Sequence, residues 1–266
     1  PGRPRRRTRA RSNESPGGGP GGKKERGQMT GTLVNAGAIV VGGFAGVLLK
    51  RGLSEETGRT CNQMFGLATA VVGLNGLLSN MMEVGADGRL SASGELLLFL
   101  SLVIGGVVGE ALRLEERINR GGKRIEARLG SEGFAAGFIN ASLIFCVGAM
   151  AIMGAINDGL TGDSSVLFVK SALDGVFAVV LGSTLGIGVV FSAVPVFLYQ
   201  GAITLLAGAL APYCTDAMLR SLCTVGYALV ICIGLNFLLV NRIKTANLLP
   251  SLLVPIVYQL AVQYWI

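Results

Sequence analysis

Apolar residues in this chain come in long unbroken runs rather than in alternation. Residues 30–49 carry no charged side chain over 20 positions, and Lys50 and Arg51 end the run. Residues 60–82 carry none over 23. Both are long enough to cross the hydrocarbon core of a bilayer as a helix, which takes about 20 residues. Residues 94–112 form a weaker third run, bracketed by Glu95 and Glu110, and residues 134–156 a fourth, with Asn140 as its main polar intrusion. From 175 to 215 there is no charge for 41 residues. One helix of that length would measure about 60 Å, twice the roughly 30 Å of the core, so two spans are expected, broken at Pro195. The second of them covers about 196–211 and stops at Pro212. Two more follow, at about 217–240 and 247–265. The last contains Pro250 and Pro255 and ends on Tyr264 and Trp265, residue types that favour the membrane interface. The pattern predicts an all-α, polytopic membrane protein of about eight transmembrane helices, with the third and sixth spans the weakest in pattern.

Composition agrees. The chain is 51% hydrophobic and only 15% charged, against about 25% charged in soluble domains. The net charge of +7 is misleading, because residues 1–28 hold nine of the 23 Lys and Arg and four of the eight Pro. Such a segment cannot bury enough apolar area to fold. It reads as a disordered basic tail before a single transmembrane domain at 29–266. An arm for anionic lipid or nucleic acid is one reading of it. Pro1 as first residue, and Met29 directly before the first apolar run, favour a tail foreign to the native chain; no signal-peptide pattern with a cleavage site follows it. Without that tail the chain calls for a lipid bilayer, and no nucleic-acid partner is expected.

Lys and Arg in the loops set orientation. The loops at 50–60, 113–130 and 241–246 carry 11 of them, the opposite side only Arg89, Lys170 and Arg220. The first set is expected in the cytoplasm, with the protein in the cell (inner or plasma) membrane. That arrangement puts the basic tail on the wrong side, a second argument against it. The segment LRLEERINRGGKRIEARLG reads as an extension of the third span, a solvated charged hairpin interrupted at Gly121 and Gly122, with Arg and Glu at pairing distance.

The chain has no His, and its five Cys form no CxxC. His-based metal sites and His general bases are excluded, and the cysteines are expected to pack as small hydrophobes. No nucleophile motif stands out. An enzyme is not expected, nor a cofactor, nor a metal.

Short strings recur. GLNGLL at 73–78 returns as GLNFLL at 234–239, and the Gly-Ala-Ile of NAGAIVV returns in YQGAITL, so that Gly37 corresponds to Gly201. The offsets are 161 and 164. Spans 1–3 thus recur as spans 6–8, and a shift of five spans inverts direction across the membrane. Inverted repeats are typical of secondary transporters, with sites near the midplane. Asn75 and Asn236 occupy equivalent places and are candidates for ligand coordination; packing by interhelical hydrogen bonds is the alternative. Three GxxxG pairs (Gly42/Gly46, Gly105/Gly109, Gly182/Gly186) predict close helix packing and would also permit a homo-oligomer.

The stretch GAINDGLTGDSSVLFVKSALDG concentrates the remaining charge: Asp158, Asp163, Lys170 and Asp174. A helix is expected to start at Asp163 or Ser164 as N-cap and to run to Val194, about 45 Å. Lys170 and Asp174 would share a face and Asp174 would lie inside the membrane. Ionisable groups there mark ion or substrate pathways. The candidate binding set for an unknown small molecule or ion is therefore Asp158, Asp163, Lys170, Asp174, Asn75 and Asn236.

The residues from FAAGFINASLIFC through SAVPVFLYQG, the opening at Met29, the GLNGLL element, the LRLEERI segment and the Leu- and Pro-rich end resemble the YdfK/YqgA-type family of bacterial multi-pass inner-membrane proteins (domain of unknown function 554). The likeness covers Met29 to the C-terminus and is most specific in the central third. It implies a multi-pass membrane protein and supplies no activity. The residues themselves favour a small secondary transporter or ion-coupled permease, with a channel or a non-transporting membrane scaffold as alternatives.

Overall fold

A computed structural model describes residues 29–50, 55–84, 88–129, 133–239 and 243–265. The basic tail, Arg51 and Arg242 lie outside the described residues. The helices are α1 (Thr30–Lys50), α2 (Glu55–Met81), α3 (Glu95–Ala111), α4 (Leu114–Leu129), α5 (Phe134–Cys146), α6 (Ala149–Thr161), α7 (Ser165–Leu185), α8 (Gly188–Phe191), α9 (Ala193–Leu205), α10 (Ala207–Leu210), α11 (Asp216–Leu239) and α12 (Leu253–Trp265). A 3-10 helix, Thr245–Leu252, leads into α12, and strands β1 (Met82–Val84) and β2 (Leu90–Ala92) form an antiparallel hairpin between α2 and α3. Among the described residues six helical stretches are long and apolar enough to cross a membrane, namely α1, α2, α7, α8 with α9, α11, and the 3-10 helix with α12, and eight spans result if each of two bent pairs counts as one.

The outward faces are apolar. Val41 on α1, Leu96 on α3 and Val176 on α7 are 70%, 71% and 67% exposed, an arrangement that water would penalise and lipid would not. The interior holds Ile39, Phe145, Leu181, Val189 and Val196, which join α1, α5, α7, α8 and α9. A second cluster joins Ile139 to Leu229, Ile233 and Ala246.

Glycine decides which helices meet. α1 lies parallel to α7: a Cβ on Gly31 would strike Leu167, one on Gly42 the carbonyl of Gly175, and one on Gly46 the carbonyl of Val179. α2 lies antiparallel to α11, with Gly66 against Phe237, Gly73 against Ile231 and Gly76 against Tyr227. α3 runs antiparallel to the 3-10 helix, with Gly105 against Ser251 and Gly109 against Asn247. α1 also crosses α9 in antiparallel sense, since Thr32 meets Thr204 and Asn35 meets Gln200. Small residues let backbones approach where lipid supplies no hydrophobic drive.

Three expectations about breaks are corrected. The long charge-free stretch does not break at Pro195. α7 ends at Leu185, where Gly186 turns the chain with φ 77 and ψ −154, a conformation that a side chain would oppose. Pro195 sits in the first turn of α9, where its missing N–H has no helical acceptor. The helix from the charged stretch is accordingly 21 residues long, not about 30. The fourth span is not continuous either. Val147 is extended and Gly148 has φ 121, so α5 and α6 meet at a 65° bend.

The charged segment after α3 is a helix in its own right. α4 bends 56° away from α3 through Arg113, which takes a left-handed φ of 51. Gly121 and Gly122 lie within α4 instead of interrupting it, and Gly122 packs on Ala135. The corner is locked to the far end of the chain. The Glu115 N–H donates to Asn247 Oδ1 at 2.7 Å, and the Ala246 N–H donates to Glu115 Oε2 at 2.9 Å. Lys244 and Asn247 both donate to Glu110, at 2.7 and 2.6 Å. The charge and hydrogen bond of Glu110 hold the Lys244 ammonium above its ordinary pKa.

Candidate functional site

Lys170 and Asp174 stand on one face of α7, and both are buried. Lys170 Nζ donates to Asp174 Oδ2 at 2.5 Å. Asp174 is the tenth residue of a 21-residue helix, about 14 Å along it and so close to the middle of a bilayer-length span. Two amides complete the group. Asn35 of α1 donates from Nδ2 to Asp174 Oδ2 at 3.0 Å and to Gln200 Oε1 of α9 at 3.1 Å. Asn35 and Gln200 are both fully buried.

The amide orientations are forced by chemistry. A carboxylate only accepts, so Asn35 must turn its NH2 toward Asp174. Its second N–H then reaches Gln200, which must answer with its oxygen. Two polar atoms remain without partners, Asn35 Oδ1 and Gln200 Nε2. Buried polar groups are ordinarily paired. An acceptor and a donor, both open beside a charge pair, form a place where a water or a small polar guest would be held.

Of the six residues expected from sequence, the structure brings Lys170 and Asp174 together. Asp158 is fully buried near the end of α6 and accepts from Ser164 Oγ at 2.6 Å. Asp163 is exposed and accepts the Ser165 N–H at 3.0 Å, one residue before the N-cap, Ser164, whose own side chain makes no cap bond. The hydrogen bonds from the Ser165 side chain and backbone hold its carboxyl below the usual range. Asn75 is exposed on α2, away from the Gly66–Gly73–Gly76 face that packs on α11. Asn236 is buried and structural in its contacts. It donates to Ile243 O at 2.7 Å and Thr245 Oγ1 at 2.8 Å and accepts the Ile243 N–H at 2.8 Å, which pins the chain after α11. Asn75 and Asn236 thus have unlike surroundings despite their equivalent positions in the string GLN.

Asn35 and Gln200 lie outside the set expected from sequence. A signal exists: each is an amide inside a run without charge, and each adjoins one of the matched Gly-Ala-Ile strings. The match by itself points to architecture, and only the fold turns it into chemistry.

An apolar cavity of about 430 Å³ opens at the α5–α6 break, lined by Val147, Gly148, Pro195, Tyr199, Cys223 and Leu253 among others. Tyr199 precedes Gln200 on α9, and Cys146, the last residue of α5, is also in the lining. The broken helix and the apolar chamber thus reach α9 one residue from Gln200. Among the described residues no group of three or more His, Cys, Asp and Glu could hold a metal ion, and the five cysteines are free.

The chain has relatives among known proteins. Residues 30–260 match the family model described as "Protein of unknown function (DUF554)". The chain is 31% identical over 227 residues to the uncharacterized membrane protein YdfK of Bacillus subtilis, covering 85% of this chain and 94% of that one. It is 28% identical over 244 residues to the uncharacterized protein YqgA of Escherichia coli, covering 89% and 99%. No solved structure matches. The family match runs through every helix from α1 into α12, the buried group on α1, α7 and α9 included, and the chain belongs to the DUF554 family of membrane proteins.

Proposed function

We propose that this protein is a small ion-coupled secondary transporter of the cell membrane, with the Lys170–Asp174 pair as its coupling site. One observation carries the reading: a charge pair is kept near mid-span with 7% and 9% side-chain exposure, bonded by the Asn35 amide of α1, which is bonded in turn to Gln200 of α9, and the two amides leave a donor and an acceptor open. Desolvating two charges is expensive and helix stability does not require it. Transfer of one proton from Lys170 Nζ to Asp174 Oδ2 neutralises both groups. That step lets α1, α7 and α9 separate without leaving a charge in the apolar interior.

The packing supports an inverted repeat. α1 and α9, α2 and α11, and α3 and the segment leading into α12 each pack antiparallel, as helices related by a twofold axis in the membrane plane would. Asn35 and Gln200, which touch, are offset by nearly the same interval as the matched strings. Rocking of one repeat against the other around this contact would expose the site to each side in turn. The excess of Lys and Arg in the loops argues for an α2–α3 hairpin and an α6–α7 turn outside the cytoplasm. The reading includes no catalytic step.

Proteoliposomes loaded with a pH-sensitive dye test the proposal. Sodium, potassium, chloride, phosphate, glycine, glutamate and glucose are offered one at a time. At least one is expected to drive proton movement above protein-free vesicles, and Asp174→Asn is expected to abolish it. No movement with any of them, or equal movement in Asp174→Asn, would contradict the coupling role.

A further inference from the structure

A second polar group lies toward the α6–α7 turn, about one helical turn along α1 and α9 from Asn35 and Gln200. Asp158 is 0% exposed. Its Oδ1 accepts from Ser164, while its Oδ2 has no partner. Among the described residues no Lys or Arg forms an ion pair with it. A buried carboxylate oxygen left unpaired is costly, and the surroundings deepen that cost. Asp158 sits in the last turn of α6 and Thr204 in the last turn of α9. Helix C-termini carry a partial negative charge. The two ends are in contact, since a Cβ on Gly159 would overlap the Thr204 carbonyl oxygen.

Two hydroxyls meet where the start of α1 crosses the same end of α9. Thr32 of α1 and Thr204 of α9 are fully buried or nearly so, with their Oγ1 atoms 3.5 Å apart. That is long for a hydroxyl hydrogen bond, which is usually near 2.7–2.8 Å. α1 reaches Asp158 through Ser164, whose Cβ lies 3.1 Å from where a Cβ on Gly31 would stand. Adjacent oxygens around a cation of calcium's size, held at about 2.4 Å, lie about 3.4 Å apart, and sodium has nearly the same radius. The available ligands are a carboxylate, hydroxyls and a carbonyl at a helix end, all hard oxygen donors.

From these observations we infer that Asp158, Ser164, Thr32 and Thr204, with the Thr204 carbonyl, form a binding site for a small monovalent cation, sodium. The single carboxylate balances one positive charge. The site is distinct from the Lys170–Asp174 pair, where an ammonium already occupies the cation position. Ion binding needs no transport to be measured, so its failure and the failure of the transport reading are separable.

The test is thermal unfolding of the full purified chain in detergent. NaCl is titrated against equal concentrations of KCl and of choline chloride. Sodium is expected to raise the melting temperature saturably, with no matching rise in the other salts. Asp158→Asn should lose the sodium-dependent shift, and Asp163→Asn, which alters an exposed carboxylate of the same turn, should keep it. If Asp158→Asn does not fold, Thr32→Val and Thr204→Val provide the decision. Each should raise the half-saturating sodium concentration by about tenfold, the equivalent of about 1.4 kcal/mol. A shift common to all three salts, a sodium shift intact in Asp158→Asn, or unchanged half-saturation in both threonine variants would overturn the proposal.

Discussion

Replacing Lys170 alone by Met is expected to lower the melting temperature by about 10 °C or more, while Lys170→Met combined with Asp174→Leu regains most of that loss. The first change leaves the Asp174 carboxylate buried with only the Asn35 amide to oppose its charge. Removing one partner of a buried pair costs about 3–5 kcal/mol, whereas replacing both by apolar groups of similar volume is often neutral or better. For a chain of this size about 1 kcal/mol corresponds to roughly 2–4 °C. Asp174→Asn should fall between, because its amide oxygen can still accept from Lys170. Thermal unfolding of the three purified variants checks the order. Lys170→Met as stable as the parent, or a double variant no better than that single change, would show that the pair is not energetically coupled. Proton movement should be lost in all three, which separates the stability of the pair from its use.

The second large effect is expected at Gly46. A Cβ there would overlap the Val179 carbonyl oxygen and approach Ser183 N and Gly182 Cα within 3 Å. These are backbone atoms that cannot swing aside. Gly46→Leu must therefore drive α1 off α7, and with it Asn35 off Asp174. The expected result is loss of the monodisperse peak in detergent. Gly37→Leu on the same helix is the control, since nothing lies within 4 Å of a Cβ at Gly37, and that variant should elute as the parent does. Equal behaviour of the two would mean that the α1–α7 contact does not organise the fold.

The spans are legible in the sequence because few structures besides a membrane helix use an uncharged apolar run of bilayer length. The close helix contacts are legible as GxxxG, and Gly42, Gly46, Gly105, Gly109 and Gly182 do meet backbone or side chain within 3 Å. The breaks are not legible. Gly148 and Gly186 look like any other glycine of the 40 in the chain, and only their φ values mark them. Pro195 reads as a break because a proline interrupts a helix everywhere except its first turn, and the first turn is where it lies. The candidate site is half visible. Lys170 and Asp174 betray themselves by charge. Asn35, Gln200, Thr32 and Thr204 are uncharged and scattered over 172 positions, and only folding assembles them. Asn75 and Asn236 draw notice through a shared string, yet one faces outward and the other braces a loop.

Alternating access requires the contacts of Asn35 with Asp174 and Gln200 to open to each side of the membrane in turn. Cysteine accessibility tests it most directly. Gln200→Cys would be placed in a chain whose five native cysteines are replaced by Ala, and labelled with a membrane-impermeant maleimide in vesicles of each orientation. The expected result is labelling from both sides, with the two rates changing in opposite directions when the pH is changed. Labelling from neither side, or from one side alone under all conditions, would contradict alternating access and leave the charge pair as a structural clasp.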